Sequence, residues 1–380
     1  MLSKKENEKL TRVGPGTPAG EFLRRYWHPV GAASELKDKP IKRVRILGED
    51  LVLYRGDDGR YGLMAEQCSH RGASLAYGKI EGSNIRCPYH GWMYDPEGRC
   101  VEQPAEPPNS TYKDRVKHPA YPVQKLAGLL YAYMGPKPAP LLPRYDVLVR
   151  TDGEHRIVVL PQLECNWLQP MENSVDPTHN HYLHSSRIGR PVHGDDDAEI
   201  AKYDFEVFEY GIMKKRFAKN GDGKLELVNA HPMVFPNMLR QHHSREHYLQ
   251  YRVPVDDTHT LFFEVYFIES KDVSIVDQPE DPPVDYAPDH KTADGVYKME
   301  RVWMQDYMAW ETAGPIYDRT KEHLATGDRG IIVFRKLLKA EIEKVKRGKD
   351  PIGVMRDPKR NQLIHFQTIT DSKREVWKGR

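Results

Sequence analysis

Cysteine is scarce in this chain: four residues in 380, at positions 68, 87, 100 and 165. So few, so unevenly spaced, exclude the disulfide framework of a small secreted scaffold and suit a reducing, cytoplasmic setting. Long apolar runs are missing too. No stretch approaches the roughly 20 residues of a membrane-spanning helix. The opening Met1-Leu2-Ser3-Lys4-Lys5-Glu6 has no apolar segment of the kind a secretory signal carries. Charge of one sign is lacking: 57 basic against 55 acidic residues give a net charge of +2, with no dominant basic face for nucleic acid. There is no Gly-x-Gly-x-x-Gly signature for a dinucleotide. Internal repeats and low-complexity tracts are absent.

What is present is concentrated in two places. The first is Cys68-Ser69-His70, sixteen further residues, then Cys87-Pro88-Tyr89-His90-Gly91-Trp92. Each loop offers one thiolate and one imidazole. A zinc finger usually pairs Cys with Cys and His with His. A Rieske [2Fe–2S] centre needs two Cys on one iron and two His on the other, which one Cys and one His from each of two facing loops supplies. A mixed zinc site is the competing reading of the same four side chains.

These loops resemble those of Rieske non-haem iron oxygenases of the phthalate-dioxygenase type. Respiratory Rieske proteins carry an extra Cys in each loop, joined as a disulfide. Here those positions hold Ala73 and Tyr89. The segment from Gly14 to Val30, with Tyr26-Trp27-His28-Pro29, is similar to the opening of the same family. The resemblance implies a second, mononuclear iron with open coordination positions.

The length suggests two domains. Thr17-Pro18 reads as the cap and first residue of a short helix holding Phe22, Leu23 and Tyr26 and ending before Pro29. Val44, Ile46, Leu51 and Leu53 alternate about a turn at Gly48-Glu49-Asp50, and Asp58-Gly59 marks a second hairpin. Tyr61 to Ala65 and Leu129 to Met134 read as strands. The proline-rich stretch from Gly135 to Pro143 breaks regular structure. We therefore expect one domain over 1–140 and another over 141–380. In the second, Tyr203, Phe205 and Val207, and then Leu249, Tyr251 and Val253, alternate as strands do, and Leu261 to Ile268 is a more apolar strand. Asp277 to Asp289, with four prolines, reads as a loop. Ile331, Phe334, Leu338, Ile342 and Val345 predict a helix ended by Gly348 and Pro351. Its other face, with Arg335, Lys336, Lys339, Lys344, Lys346 and Arg347, reads as solvated.

The second chemical stretch runs from Asn166 to His184 and holds His179, His181 and His184. Oxygen-activating ferrous iron commonly sits on two His and one carboxylate. His179 and His184 match the family spacing Asp-x-x-His-x-x-x-x-His. Both rings reach one metal if the helix ends or bends between them, with Pro177 just upstream. His181 lies about 160–200° round an ideal helix from His179 and is expected to point away. The carboxylate has to come from elsewhere. Gln305 to Arg319 resembles the family's C-terminal helix, in which the acid five residues before Glu is the ligand. That implies Asp306, with Glu311 and Asp318 as competitors. In the family the acid at Asp176 lies between a cluster histidine of one subunit, here His90, and His179 of the next. The alternative for Asp176 is a helix cap before Pro177.

The resemblance spans about Gly14 to Leu338. It implies an α+β chain: a small antiparallel β Rieske domain joined to a helix-grip, START-like catalytic domain with a curved antiparallel sheet and helices. It further implies a homotrimer, and NAD(P)H electrons delivered by a separate reductase with flavin and iron–sulfur groups. Stretches such as Arg71 to Leu75 and Tyr131 to Pro136 are similar to O-demethylases of this family acting on lignin-type aromatics. The expected reaction is therefore O-demethylation of a methoxylated aromatic acid, biaryls among the candidates. Hydroxylation or cis-dihydroxylation of a phthalate-like acid is the alternative. A plain Rieske electron carrier, or a zinc hydrolase built on the second site, are readings of another class. Asn173 and Arg240 are candidates to touch substrate, Arg240 because a planar guanidinium suits a carboxylate.

Overall fold

The computed structural model describes residues 1–184, 200–271 and 279–369; the side chains of His181 and Ile200 lie outside this description. The chain is α+β. Its N-terminal part holds three small antiparallel sheets, and a larger sheet with helices follows.

Around the first motif, strands Ile41–Ile46, Glu49–Arg55, Tyr61–Ala65 and Ala120–Tyr121 form one sheet. Lys79–Glu81, Asn84–Arg86, Met93–Tyr94 and Cys100–Glu102 form another. The first hairpin turns at Leu47-Gly48, one residue earlier than its glycine and acids suggest. Both residues have positive φ, 49° and 77°, the geometry that matches the twist of paired strands. Leu47 is held there by its N–H, which donates to Pro254 O at 2.9 Å, and by its fully buried side chain. Cys68, Cys87 and Cys100 belong to a small separate core with Val52, Tyr54, Met64, Ile85, Trp92 and Tyr94.

The segment Trp27–Ala32 is a strand, not the tail of a helix. The helix stops at Leu23, and Trp27–Ala32 pairs antiparallel with Leu129–Tyr133. Six consecutive buried residues give it no amphipathic stripe to read as either form. The helices Lys4–Thr11 and Pro18–Leu23 pack beside the C-terminal helix Arg329–Lys346, joined by Lys9–Glu343 and Lys339–Glu6 ion pairs of 2.5 and 2.6 Å.

The large sheet has eight strands, in the order Ile200–Phe208, Gly211–Lys219, Leu225–Val234, Met238–His243, Glu246–Pro254, Thr260–Glu269, Gly153–Val159 and Val284–Tyr286. All pairings are antiparallel except the last. Val284–Tyr286 falls inside the segment expected to be only a loop; residues 277 and 278 of that segment lie outside the described residues. Arg329–Lys346 covers one side of the sheet through Phe334, Leu338, Ile342 and Val345, with Phe334 edge-on to Phe235. Its basic face is only partly solvated. Arg335 is buried and clamps Glu172 and Glu322. Gly330 at the start of that helix lies so close to Val175 that a Cβ would stand 2.0 Å from its carbonyl oxygen. This close approach seats the helix directly beneath Asp176 and Pro177.

Candidate metal centres and active site

The two cluster loops share one hydrogen-bonded frame. Cys68 donates its N–H to Ala73 O (2.9 Å) and accepts from Gly72 N (2.8 Å); Cys87 donates to Trp92 O (2.8 Å) and accepts from Gly91 N (3.1 Å). Gly72 and Gly91 close the frames at φ 76° and 73°, a left-handed conformation that costs glycine little. Both sulfurs are thereby turned inward and both imidazoles outward. Cys68 and Cys87 are buried, whereas His70 and His90 are half-exposed with ring centroids 4.6 Å apart. His70 also stacks on Trp92 at 4.3 Å.

The four side chains fit a [2Fe–2S] cluster. Burial, and then the neighbouring Cys68 thiol, push the Cys87 thiol up, an unfavourable pairing that a metal resolves by deprotonating both. His70 Nδ1 is buried without a hydrogen-bond partner. Tyr94 Oη lies 3.1 Å from Cys68 Sγ, and a hydrogen bond to a cluster sulfur raises its reduction potential. The sequence reading missed Tyr94, whose only signal is its place just after the second loop.

The second stretch folds as two short helices, Leu168–Ser174 and Thr178–Leu183, broken at Asp176-Pro177. Just ahead of the second helix, whose cap position is Pro177, Asp176 Oδ1 accepts from Thr178 N at 2.8 Å. Its other oxygen stands 3.5 Å from His179 Nδ1. Burial raises the Asp176 carboxyl, but His179, the Thr178 N–H and Lys214 together more than offset this, and the net shift is downward. Among the described residues, no hydrogen bond or ion pair joins Asp176 to His90 of the same chain. The helix ends at His184, so the five-residue spacing becomes a bend that brings both rings together, with centroids 5.2 Å apart.

The helix Val302–Thr312 delivers Asp306 to this pair. Asp306 Oδ1 lies 3.7 Å from His179 Nε2 and 3.3 Å from His184 Nε2. One donor atom from each of the three lies within 4.8 Å of the others. Asp306 Oδ1 is buried without a hydrogen-bond partner. A carboxylate oxygen left so between two imidazoles fits a metal ion, and two His with one carboxylate is the donor set of non-haem ferrous iron. The competing acids are elsewhere. Glu311 is held by His290 (3.1 Å), Lys291 (2.8 Å) and Tyr297 (2.9 Å); Asp318 faces Lys321 at the surface. Gln305, unforeseen in the sequence, accepts from His184 Nδ1 at 2.7 Å, while its amide nitrogen donates to Met299 O at 2.8 Å. That chain fixes the tautomer leaving His184 Nε2 as the donor to a metal.

A cavity of about 310 Å³ opens beside the three residues. Its floor is one face of the large sheet. Alternation puts Lys214 and Arg216, Gln241 and His243, Tyr248, Gln250 and Arg252, and Glu264 and Tyr266 on this face. Asn173 lines the wall. Arg240 is not brought to the cavity. One residue out of step, it lies on the opposite face, where Asp146 takes its guanidinium at 3.1 and 3.2 Å. His242 stacks on His247 at 4.3 Å on that face and still borders the cavity at its edge. Lys214 is the cation the sequence reading lacked. It is 3% exposed, lines the cavity, and has no hydrogen-bond or ion-pair partner among the described residues. Burial, and then Arg216, lower its pKa to about 7. Arg252 is already engaged, donating to Pro170 O, Ser174 Oγ and Gln250 Oε1.

A family model described as Rieske [2Fe-2S] domain matches residues 26–121, and one described as LigXa C-terminal domain like matches residues 292–379. The chain is 42% identical over 375 residues to the 5,5′-dehydrodivanillate O-demethylase oxygenase subunit of Sphingobium sp. (strain NBRC 103272 / SYK-6), covering 97% of this chain and 87% of the relative. It is 35% identical over 371 residues to the phenoxybenzoate dioxygenase subunit alpha of Ectopseudomonas oleovorans, covering 91% and 87%. Among solved structures, the terminal oxygenase of carbazole 1,9a-dioxygenase from Nocardioides aromaticivorans IC177 superposes with a TM-score of 0.66 at 19% identity, covering 90% of this chain and 98% of that one. Among the described residues, no helix is long and apolar enough to cross a membrane.

Proposed function

The chain belongs to the Rieske non-haem iron oxygenases, and from that premise we propose that it O-demethylates a methoxylated, lignin-type aromatic acid. It is an oxygenase carrying a [2Fe–2S] cluster and a mononuclear iron. In our reading Cys68, His70, Cys87 and His90 hold the cluster, and His179, His184 and Asp306 hold the iron. Iron in such a site supplies the oxygen chemistry, and the cluster supplies reducing equivalents one at a time.

The observation that carries the substrate reading is Lys214, a buried cation without a partner on the floor of the cavity beside the triad. The carboxylates of Asp176 and Asp306 act on it only from beyond ion-pair range, and a substrate carboxylate provides the direct counter-ion a buried charge needs. The cavity's 310 Å³ is about twice the 150 Å³ that accommodates benzene, so a substituted or two-ring acid fits. The similarity to an O-demethylase subunit over 97% of the chain supports the same reaction here.

The chain's residues then have separate tasks. Lys214 anchors the carboxylate and so orients the ring. Gln305 keeps His184 in one tautomer, and Asp176 turns His179. We read Asp176, beside His179 at 3.5 Å, as the bridge to the cluster of a neighbouring subunit that the family resemblance implies, and hence the assembly as a homotrimer. With no dinucleotide signature of its own, the chain draws electrons from a separate NAD(P)H-dependent flavin and iron–sulfur reductase, in the cytoplasm. For each turnover one O₂ and one NADH, with a proton, convert the methyl ether to a phenol, formaldehyde and water. Ring dihydroxylation is the second reading, favoured by the similarity to a phenoxybenzoate dioxygenase subunit. The test is the iron-loaded protein with a compatible reductase and NADH, offered methoxylated mono- and biaryl acids beside phthalates. Formaldehyde in step with O₂ and NADH supports demethylation. A diol without formaldehyde overturns it.

A further inference from the structure

Beside the buried cations Lys214, Arg216 and Arg252, the cavity floor carries a buried acid, far along the sheet from Lys214. Glu264 is 4% exposed and lines the cavity. Its strand stands four places from the strand of Lys214 in the sheet order, roughly 19 Å of arc at the usual strand spacing. No cation holds it. Its two oxygens accept instead from neutral donors: Gln250 Nε2 at 2.5 Å and Tyr266 Oη at 2.8 Å. Tyr266 stacks in turn on Tyr248, at 5.3 Å between centroids, and Tyr248 Oη donates to Gln241 Oε1. The carboxylate is therefore fixed in position by a chain of side chains that all line the same cavity.

A carboxylate has about four lone-pair directions, and the neighbours named here occupy two. Burying so polar a group beside a cavity is costly unless the remaining capacity meets a donor. Burial accordingly pushes the Glu264 carboxyl upward, against the pull of Tyr266, Gln250 and Arg252. An anionic substrate group would be repelled at this end of the cavity and attracted at the Lys214 end. A hydroxyl group can donate to Glu264 with no such penalty.

We propose that Glu264, set by Tyr266 and Gln250, is a specificity-determining residue that accepts a hydrogen bond from a hydroxyl of the substrate, so that the preferred substrates are phenolic acids: carboxylate towards Lys214, hydroxyl towards Glu264. This rests on the aromatic-acid reading above and narrows it.

The test measures binding and turnover separately. Anaerobic, iron-loaded protein is titrated calorimetrically with 4-hydroxy-3-methoxybenzoate and with 3-methoxybenzoate, and likewise with 5,5′-dehydrodivanillate and its analogue carrying hydrogen in place of each phenolic hydroxyl. A hydrogen bond to a charged group predicts that the hydroxylated member of the fitting pair binds roughly 10- to 100-fold more tightly. In Glu264→Gln that ratio falls towards unity because the hydroxylated acid weakens, while the deoxy acid is unchanged. Tyr266→Phe, which frees Glu264 to move, shifts the ratio the same way by less. Cluster absorbance, iron content and melting temperature establish that each variant is folded, and Tyr266→Phe carries the test if Glu264→Gln is not. Acids that bind with the same ratio in wild type and variant overturn the role of Glu264 and leave the aromatic-acid reading standing. Failure of every acid to bind overturns that reading, and this inference with it.

Discussion

Replacing Gln305 by Leu isolates the tautomer control at the proposed iron site without touching a ligand. Gln305 is 6% exposed and His184 3%, so bulk water is a poor substitute for the lost acceptor. The hydrogen bond removed is 2.7 Å long, and the same change breaks the 2.8 Å anchor to Met299. Removing the outer partner of a metal-bound histidine typically weakens metal binding 10- to 100-fold, about 1.4–2.7 kcal/mol. Leucine is one heavy atom smaller than glutamine and branches one carbon earlier, so melting temperature is measured beside the metal affinity. The assay is competitive titration of ferrous iron into protein depleted of its mononuclear metal, with the cluster spectrum as internal control. Iron per chain at a limiting concentration should drop from about three towards two. Gln305→Glu keeps an acceptor and should retain affinity. Undiminished affinity in Gln305→Leu would refute the argument that this side chain sets the ring.

Four further outcomes follow from the same geometry. Lys214→Met should raise KM for aromatic acids by roughly 10-fold or more, the loss of a charge-assisted bond, with the iron content unchanged. Because the free Lys214 has a pKa lowered to about 7 and only its charged form attracts a carboxylate, kcat/KM in the wild type should fall as pH rises through about 7, and Lys214→Met should lose that limb. Glu172→Gln leaves the buried guanidinium groups of Arg319 and Arg335, now 2.8 and 2.6 Å from Glu172, without their shared counter-ion; denaturant titration should show a loss of about 3–5 kcal/mol. Asp176→Asn should leave the cluster reducible but slow its reoxidation by O₂ in the presence of substrate, as stopped-flow absorbance would show; unchanged reoxidation would refute the bridging role.

Much of the chemistry was legible because it is local. Cys68, His70, Cys87 and His90 sit in two loops whose spacing speaks for itself, and His179 and His184 share one short segment. Asp306 lies more than 120 residues away, and only resemblance to a known helix pointed to it; periodicity alone does not separate it from Glu311. The cavity floor was missed for a different reason. Its residues come from five strands and meet only through sheet register, which no single segment encodes. The parity was nevertheless present: Leu249, Tyr251 and Val253 face the core, so Tyr248, Gln250 and Arg252 face the cavity. A one-residue step in that alternation exchanges the two faces, which is why Arg240 ends on Asp146 while Gln241 lines the site. Trp27–Ala32 misled because a strand buried on both faces has no alternation to read.

The most direct test of the central claim is a single turnover without any reductase. Protein with its cluster chemically reduced and ferrous iron bound, so that cluster and iron together hold the two electrons one turnover takes, is mixed with O₂ and a methoxylated aromatic acid, and formaldehyde and demethylated phenol are quantified. The account predicts both products in equal amounts, at most one equivalent per mononuclear iron, and none from an Asp306→Ala variant whose cluster is equally reduced. Equal formaldehyde from that variant, or a ring diol in its place from the wild type, would contradict it.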